Sequence, residues 1–130
     1  MQDFSIKKRI YYHDTDCGGV VYYANYLKHL EEARTEFCID RNIALRELQD
    51  DGIYFVVAKV EIDYKSPAKY GDIVNISAKV EYAKRSSLYF YQEIRKEDNL
   101  LIKANTLWVC VDKSFKPRTI PEDVKSLFTA

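Results

Sequence analysis

An excess of either charge is absent from this sequence of 130 residues, in which 20 lysines and arginines face 20 aspartates and glutamates. No net basic field exists to gather nucleic acid or an anionic membrane, so any anion site has to be local. Long apolar runs are absent too. The N-terminal stretch MQDFSIKKRIYY holds no signal-type apolar core, and no window approaches the ~20 apolar residues of a membrane span. Secreted and transmembrane readings therefore fall away. Cysteine is scarce: Cys17, Cys38 and Cys110 are odd in number and too far apart for a disulfide framework or a C-x-x-C metal clip. That usage fits a reducing compartment and makes the cytoplasm the expected location. Only four glycines and three prolines punctuate the chain. With no repeat and no low-complexity stretch, element boundaries have to be read from hydrophobic periodicity.

What the chain does have is apolar content and tyrosine. A hydrophobic share of 47% in 15.3 kDa predicts one domain with its own core, spanning residues 1–130. Eleven tyrosines beside one tryptophan point to wide, half-wet surfaces, and hence to an oligomer with a binding cleft. Over residues 54–66, Val56, Ala58, Val60, Ile62 and Tyr64 alternate with Val57, Lys59, Glu61, Asp63 and Lys65, the period of a strand with one buried face. A turn with Pro67, Gly71 and Asp72 leads to the same pattern at Val74, Ile76, Ala78, Val80 and Tyr82. Residues 88–95 and 101–111 continue in this style, and a shorter N-terminal strand sets Phe4, Ile6, Ile10 and Tyr12 on one face. Short connections predict an antiparallel meander for the four later strands.

Between residues 22 and 41 the period changes. Tyr23, Tyr26, Leu27, Leu30, Ala33, Phe37 and Cys38 recur at spacings of three and four, predicting a long amphipathic helix that leaves His29 on the solvated side. Such a helix spans ~27 Å and the strands ~35 Å, so it can lie across one curved sheet. The expected class is α+β, a five-stranded antiparallel sheet wrapped around one long central helix. A short helical turn at residues 43–49 links helix to sheet.

The segment YYHDTDCGGVVYYANY, residues 11–26, packs two carboxylates, a histidine, a thiol and two glycines between strand and helix. One reading is structural: Asp14 and Asp16 make Asx turns while Gly18 and Gly19 supply positive φ. The other is chemical. Val20, Val21 and Tyr22 offer no capping oxygen, so the first helical N–H groups are left to bind an oxyanion. A carbonyl polarised there could be attacked by a loop carboxylate, or by water that the carboxylate activates. Acyl transfer then needs neither serine nor cysteine.

At these residues the chain resembles the hotdog-fold acyl-CoA thioesterases. More narrowly, D-T-D-x-G-G-V-V-Y, the following A-N-Y and the helical A-R-T-E are similar to the YbgC-type members of the 4-hydroxybenzoyl-CoA thioesterase family. The likeness extends through Ser66-Pro67-Ala68, Ser86-Ser87-Leu88, the run from Val109 to Asp112, and Lys116-Pro117-Arg118. It implies a hotdog domain, thioester hydrolysis without metal or prosthetic group, and active sites between paired subunits. It also implies Asp16 as catalytic carboxylate and the Tyr23 backbone amide as the donor to the thioester oxygen. Lys84 and Arg85 would meet the phosphates of CoA, with Ser87 as a further hydrogen-bond partner. The chain departs from the family at Tyr23, where histidine is common, and at His13, where an acid is usual. A backbone amide role does not depend on the side chain.

Other residues admit two readings. Glu31 and Arg34 read as an internal ion pair, or Glu31 as a second acid or an acyl-recognition group, because another hotdog branch carries its carboxylate on the helix. His13 is a candidate to assist Asp16. Cys17 as nucleophile would want a histidine base nearby, and Trp108 reads as core or interface. The expected substrate is acyl-CoA, with an acyl carrier protein thioester as another possible donor, and the expected assembly is a dimer or a dimer of dimers, hence a homotetramer. Two other classes compete: a hotdog hydratase or dehydratase, which needs a histidine with a carboxylate, and a non-enzymatic acyl-CoA or acyl-carrier binding module.

Overall fold

The computed structural model describes residues 4–130. In chain order the elements are β1 (Ser5–Arg9), a 3-10 turn (Tyr12–Asp14), α1 (Asn25–Asp40), α2 (Leu45–Asp50), β2 (Tyr54–Tyr64), β3 (Ile73–Ser77), β4 (Lys79–Ala83), β5 (Ser87–Lys96), β6 (Asn99–Val111) and α3 (Glu122–Thr129). All sheet pairings are antiparallel, in the order β1-β3-β5-β6-β2, with β4 also on β5. The expected strand over residues 74–82 is thus β3 and β4, broken at buried Ala78. Side chains replace the ladder at the break: Gln92 donates Nε2 to the Ser77 carbonyl at 3.2 Å, and the Glu93 amide donates to Ser77 Oγ at 2.9 Å. The break lets the sheet curl around α1, with five strand positions as expected.

The meander expectation fails at one strand. β2 pairs with β6, not with β3, so it forms an edge of the sheet. Residues 65–72 are a crossover rather than a hairpin turn, and they pass the start of α1. Val21 donates its amide to the Ala68 carbonyl at 2.9 Å, and the Ala68 amide donates to the Tyr26 hydroxyl at 2.9 Å. A register shift between Val57 and Lys59 switches the facing of β2, so Phe55 and Ile62 both pack toward the core despite their odd separation. The simple alternation from Val56 and Ala58 onward does not hold across that bulge.

α1 buries Tyr26, His29, Leu30, Ala33, Arg34, Phe37 and Cys38. The stripe is rotated from the expected one: Tyr23 and Leu27 stay exposed, and His29 lies inside. Position 29 is three residues after Tyr26 and four before Ala33, which places it on the same face. Phe37 meets Phe4 and Phe90 edge-on at ring separations of 5.9 and 5.6 Å. Burying a ring of this kind contributes about 1.5–3 kcal/mol. Trp108 joins Phe90, Phe55 and Phe128 at 4.7, 5.6 and 6.2 Å, so it belongs to the core within one chain. Phe128 comes from α3, an element absent from the sequence reading. Its signals were present: Pro121 before it, Glu122 and Asp123 in the first turn, and Val124 four residues before Phe128. Tyr12, expected on the buried face of the first strand, is exposed on the 3-10 turn. Among the described residues no helix is long and apolar enough to cross a membrane.

Candidate active site

The loop from Asp14 to Tyr23 folds back on itself. Thr15 and Val21 form an antiparallel bridge, the Asp16 amide donates to the Val20 carbonyl at 3.0 Å, and the Tyr22 amide donates to the Asp14 carbonyl at 2.9 Å. Residues 14–16 therefore run alongside residues 20–22. Between them Gly19 takes φ +80°, the left-handed conformation that closes the turn, whereas Gly18 needs no positive φ. The Gly18 amide donates to Asp16 Oδ1 at 2.7 Å, so Asp16 does make the expected Asx turn. Its carboxylate stays exposed, and Oδ2 makes no hydrogen bond among the described residues.

The helix start is uncapped. Ala24 stands at the cap position with no side-chain hydrogen bond. The Val21 and Tyr22 amides, expected to be unpaired, are bonded, but those of Tyr23 and Ala24 make no hydrogen bond among the described residues. A free N–H at a helix N-terminus is what a developing oxyanion needs. Beside it opens a cleft of ≈ 270 Å³ whose lining includes Val21, Tyr23, Tyr26, Tyr64 and residues 65–67. The Tyr23 carbonyl lies 3.5 Å from the Tyr64 hydroxyl, which holds β2 against the helix start.

The other expected residues separate. Glu31 is exposed and accepts the Thr35 hydroxyl at 2.7 Å. It makes no ion pair with Arg34. The Arg34 guanidinium instead donates to Gln92 Oε1 at 2.9 Å and Thr106 Oγ1 at 3.4 Å. Burial lowers the pKa of Arg34, opposed by the charge of Glu31. His13 is exposed, stacks on Tyr11, and has Nδ1 3.7 Å from Asp14 Oδ1 rather than facing Asp16. Lys84 and Arg85 form the exposed turn between β4 and β5. The Lys84 ammonium sits 5.5 Å above the Tyr89 ring, and Arg85 Nε donates to Thr119 Oγ1 at 2.8 Å. The half-buried Ser87 accepts the Lys84 amide on its carbonyl. None of these contacts reaches the loop within one chain.

The sequence reading missed His29. It is 3% exposed, with Nε2 3.3 Å from Oδ1 of the equally buried Asp14. Cys17 is exposed, while Cys38 and Cys110 are buried. Among the described residues no three His, Cys, Asp or Glu side chains gather as a metal site.

Residues 18–103 match the thioesterase superfamily. The acyl-CoA thioester hydrolase YbgC of Escherichia coli is 38% identical over 122 residues, 92% of this chain and 91% of its own length. The acyl-CoA thioesterase YbgC of Haemophilus influenzae is 38% identical over 127 residues, 96% of this chain and 93% of that one. Among solved structures, a hypothetical protein from Aquifex aeolicus superposes with a TM-score of 0.91 at 29% identity, covering 97% of this chain and 99% of that one. A 1,4-dihydroxy-2-naphthoyl-CoA thioesterase from Synechocystis shares the fold, with a TM-score of 0.89 at 23% identity over 98% of this chain and 96% of that one. With a curved antiparallel sheet around a central helix, a family match over residues 18–103 and relatives 38% identical along nearly the whole chain, the chain belongs to the thioesterase superfamily and, within it, to the YbgC family.

Proposed function

We propose that the protein hydrolyses an acyl-CoA thioester to the free acid and CoA, with Asp16 as the reactive carboxylate and the Tyr23 N–H as the carbonyl's hydrogen-bond donor. One observation carries this reading. The folded-back loop pairs the Asp16 backbone with Val20, three residues before Tyr23, and leaves the Asp16 carboxylate exposed, while the Tyr23 amide at the uncapped helix start makes no hydrogen bond among the described residues. A thioester oxygen at that amide gains a hydrogen bond and the positive helix end as charge develops on it. Asp16 then takes a proton from an attacking water, or attacks the carbonyl carbon itself and forms an anhydride that water opens. In both routes the C–S bond breaks and CoA leaves as the thiolate. A single turnover in heavy-oxygen water separates them, since label enters Asp16 only along the nucleophilic route.

The hydratase alternative wants a histidine and carboxylate that are both accessible, whereas Asp14, the carboxylate near both His13 and His29, is buried. His13 and Glu31 stand lower as participants, one facing Asp14 and the other bonded to Thr35. Residues 1–130 act as one hotdog domain, and the working unit is a dimer or a dimer of dimers in the cytoplasm. The edge strand β2 supports pairing, with Val57 and Tyr64 about half exposed on an open ladder of eleven residues. Pairing would let the Lys84-Arg85 turn of one subunit serve the loop of another, with Ser87 as a further contact to CoA.

The test is Asp16→Asn, which keeps the shape but neither accepts a proton nor attacks. We expect loss of about 10²–10⁴ in kcat, roughly 3–5 kcal/mol, with folding and CoA affinity retained. CoA release is read by chromatography over straight-chain, branched and aromatic acyl-CoAs and an acyl carrier protein thioester. Retention of more than about a tenth of the activity removes Asp16 from this role. An absence of turnover on every substrate in wild type favours the binding module.

A further inference from the structure

We propose that His29 is a positioning residue for the catalytic loop, acting through the buried carboxylate of Asp14; the inference rests on the reading of Asp16 and Tyr23 given above. Asp14 is the junction between loop and helix. Its carbonyl accepts both the Tyr22 amide and the Asn25 side-chain amide at 2.9 Å, and its Oδ2 accepts the Tyr11 amide at 2.9 Å. Asp16 follows two residues later on one side, and Tyr23 follows Tyr22 on the other. A shift at Asp14 therefore moves carboxylate and amide relative to each other.

A carboxylate only 2% exposed needs a partner on each oxygen, because an unpaired buried charge is strongly destabilising. For Oδ1 the buried partner is His29, whose Nε2 stands 3.3 Å away; the other approach, 3.7 Å from His13, comes from an exposed ring. Asn25 and His29 are four residues apart on α1, so one helix face bonds the Asp14 carbonyl and sets an imidazole against its carboxylate. The far side of the imidazole is anchored as well. Nδ1 lies 3.5 Å from Glu32 Oε1, and that oxygen lies 3.1 Å from Lys8 Nζ on β1. Neither ring nitrogen makes a hydrogen bond among the described residues, so these two ion-pair approaches are the polar contacts of the ring. The two carboxylates are thus the charged groups set within 3.5 Å of the His29 nitrogens, in a chain of neighbours running from β1 through α1 to the loop.

His29→Phe keeps a planar ring and removes both nitrogens, whereas His29→Gln keeps a donor near the position of Nε2. Two readouts apply: kcat and KM for an acyl-CoA that the wild type hydrolyses, and hydrogen exchange at the Tyr11 and Tyr22 amides, which is independent of turnover. We expect His29→Phe to lower kcat about tenfold or more with KM changed less than about twofold, and to speed exchange at both amides about tenfold. His29→Gln should bring both readouts within about threefold of wild type. Unchanged exchange in His29→Phe, or equal impairment of the two variants, overturns the proposal. A second background guards against a folding defect. In Asp14→Asn the buried charge is gone, so adding His29→Phe should change kcat less than about twofold, while a packing role costs the same in either background. Residual activity in Asp16→Asn would overturn the catalytic reading alone, and the exchange data would still judge the link from His29 to Asp14.

Discussion

The Gly18 amide donates to Asp16 Oδ1 at 2.7 Å, and a methyl group on Gly18 would lie 3.1 Å from that same oxygen. The turn that aims the carboxylate therefore tolerates no side chain at residue 18 without displacing it by a few tenths of an ångström. Gly18→Ala should lower kcat about three- to thirtyfold, less than removing the carboxylate, because misplacement by a full ångström can cost about 10²-fold. Stability should change little, since Gly18 is not at positive φ. Steady-state kinetics with thermal melts checks this; an unchanged kcat means the Asx turn does not aim Asp16.

Replacing Lys84 and Arg85 together with alanine should raise KM for acyl-CoA severalfold more than it lowers kcat, the pattern of lost uniform binding. The difference should shrink as salt is added, because both groups are exposed and screened. Equal KM values at low salt would place the nucleotide elsewhere.

Thiol labelling should distinguish the three cysteines. Burial pushes the Cys38 thiol up to about 12, only partly opposed by Arg34 and Arg41, and burial raises Cys110 as well. At pH near 8 the native protein should react at one thiol per chain, Cys17, and at all three when unfolded. Because Cys17 adjoins Asp16, a non-hydrolysable acyl-CoA should slow that reaction. A Cys17→Ser variant that still labels rapidly would contradict the assignment.

Glu93 gives stability an acid limb. It accepts Arg95 Nε at 2.8 Å and the Tyr91 hydroxyl at 2.6 Å, and these bonds hold its pKa below the ordinary value of 4.5 against the opposing effect of partial burial. A depressed folded-state pKa means its stabilisation is complete above the ordinary value and disappears as pH falls through the lower one. The gap in Tm between wild type and Glu93→Gln should be present at neutral pH and close as pH falls below the ordinary value of 4.5. Tyr91 behaves oppositely: burial, then its bond to Glu93, raises it to about 12, so its share is complete below the ordinary 10.0 and lost as pH rises toward 12. A Tm gap that stays constant across the acid range would remove the Glu93 contribution.

Local pattern was enough for much of this molecule. The period of two in β5 and β6, the period near 3.6 in α1, and the D-T-D-x-G-G segment are set by residues close together in sequence, where side-chain direction follows directly from the backbone repeat. Asp16 at an Asx turn was legible for the same reason, whereas the Tyr23 amide came from the family resemblance and local pattern pointed instead to amides that the fold pairs. α3 was legible as well and went unread, its Pro121 start and its Val124–Phe128 spacing both being local signals. What tertiary structure alone decided are the choices among distant partners. β2 joins β6 because residues 65–72 cross the start of α1, and no local signal distinguishes that crossover from a hairpin turn. Arg34 takes Gln92 and Thr106 instead of nearby Glu31, since α1 turns the guanidinium into the sheet and leaves the carboxylate in water. His29 is buried because Asp14, fifteen positions earlier, meets it there; a histidine at the edge of an apolar stripe is solvated or enclosed according to what the fold sets against it.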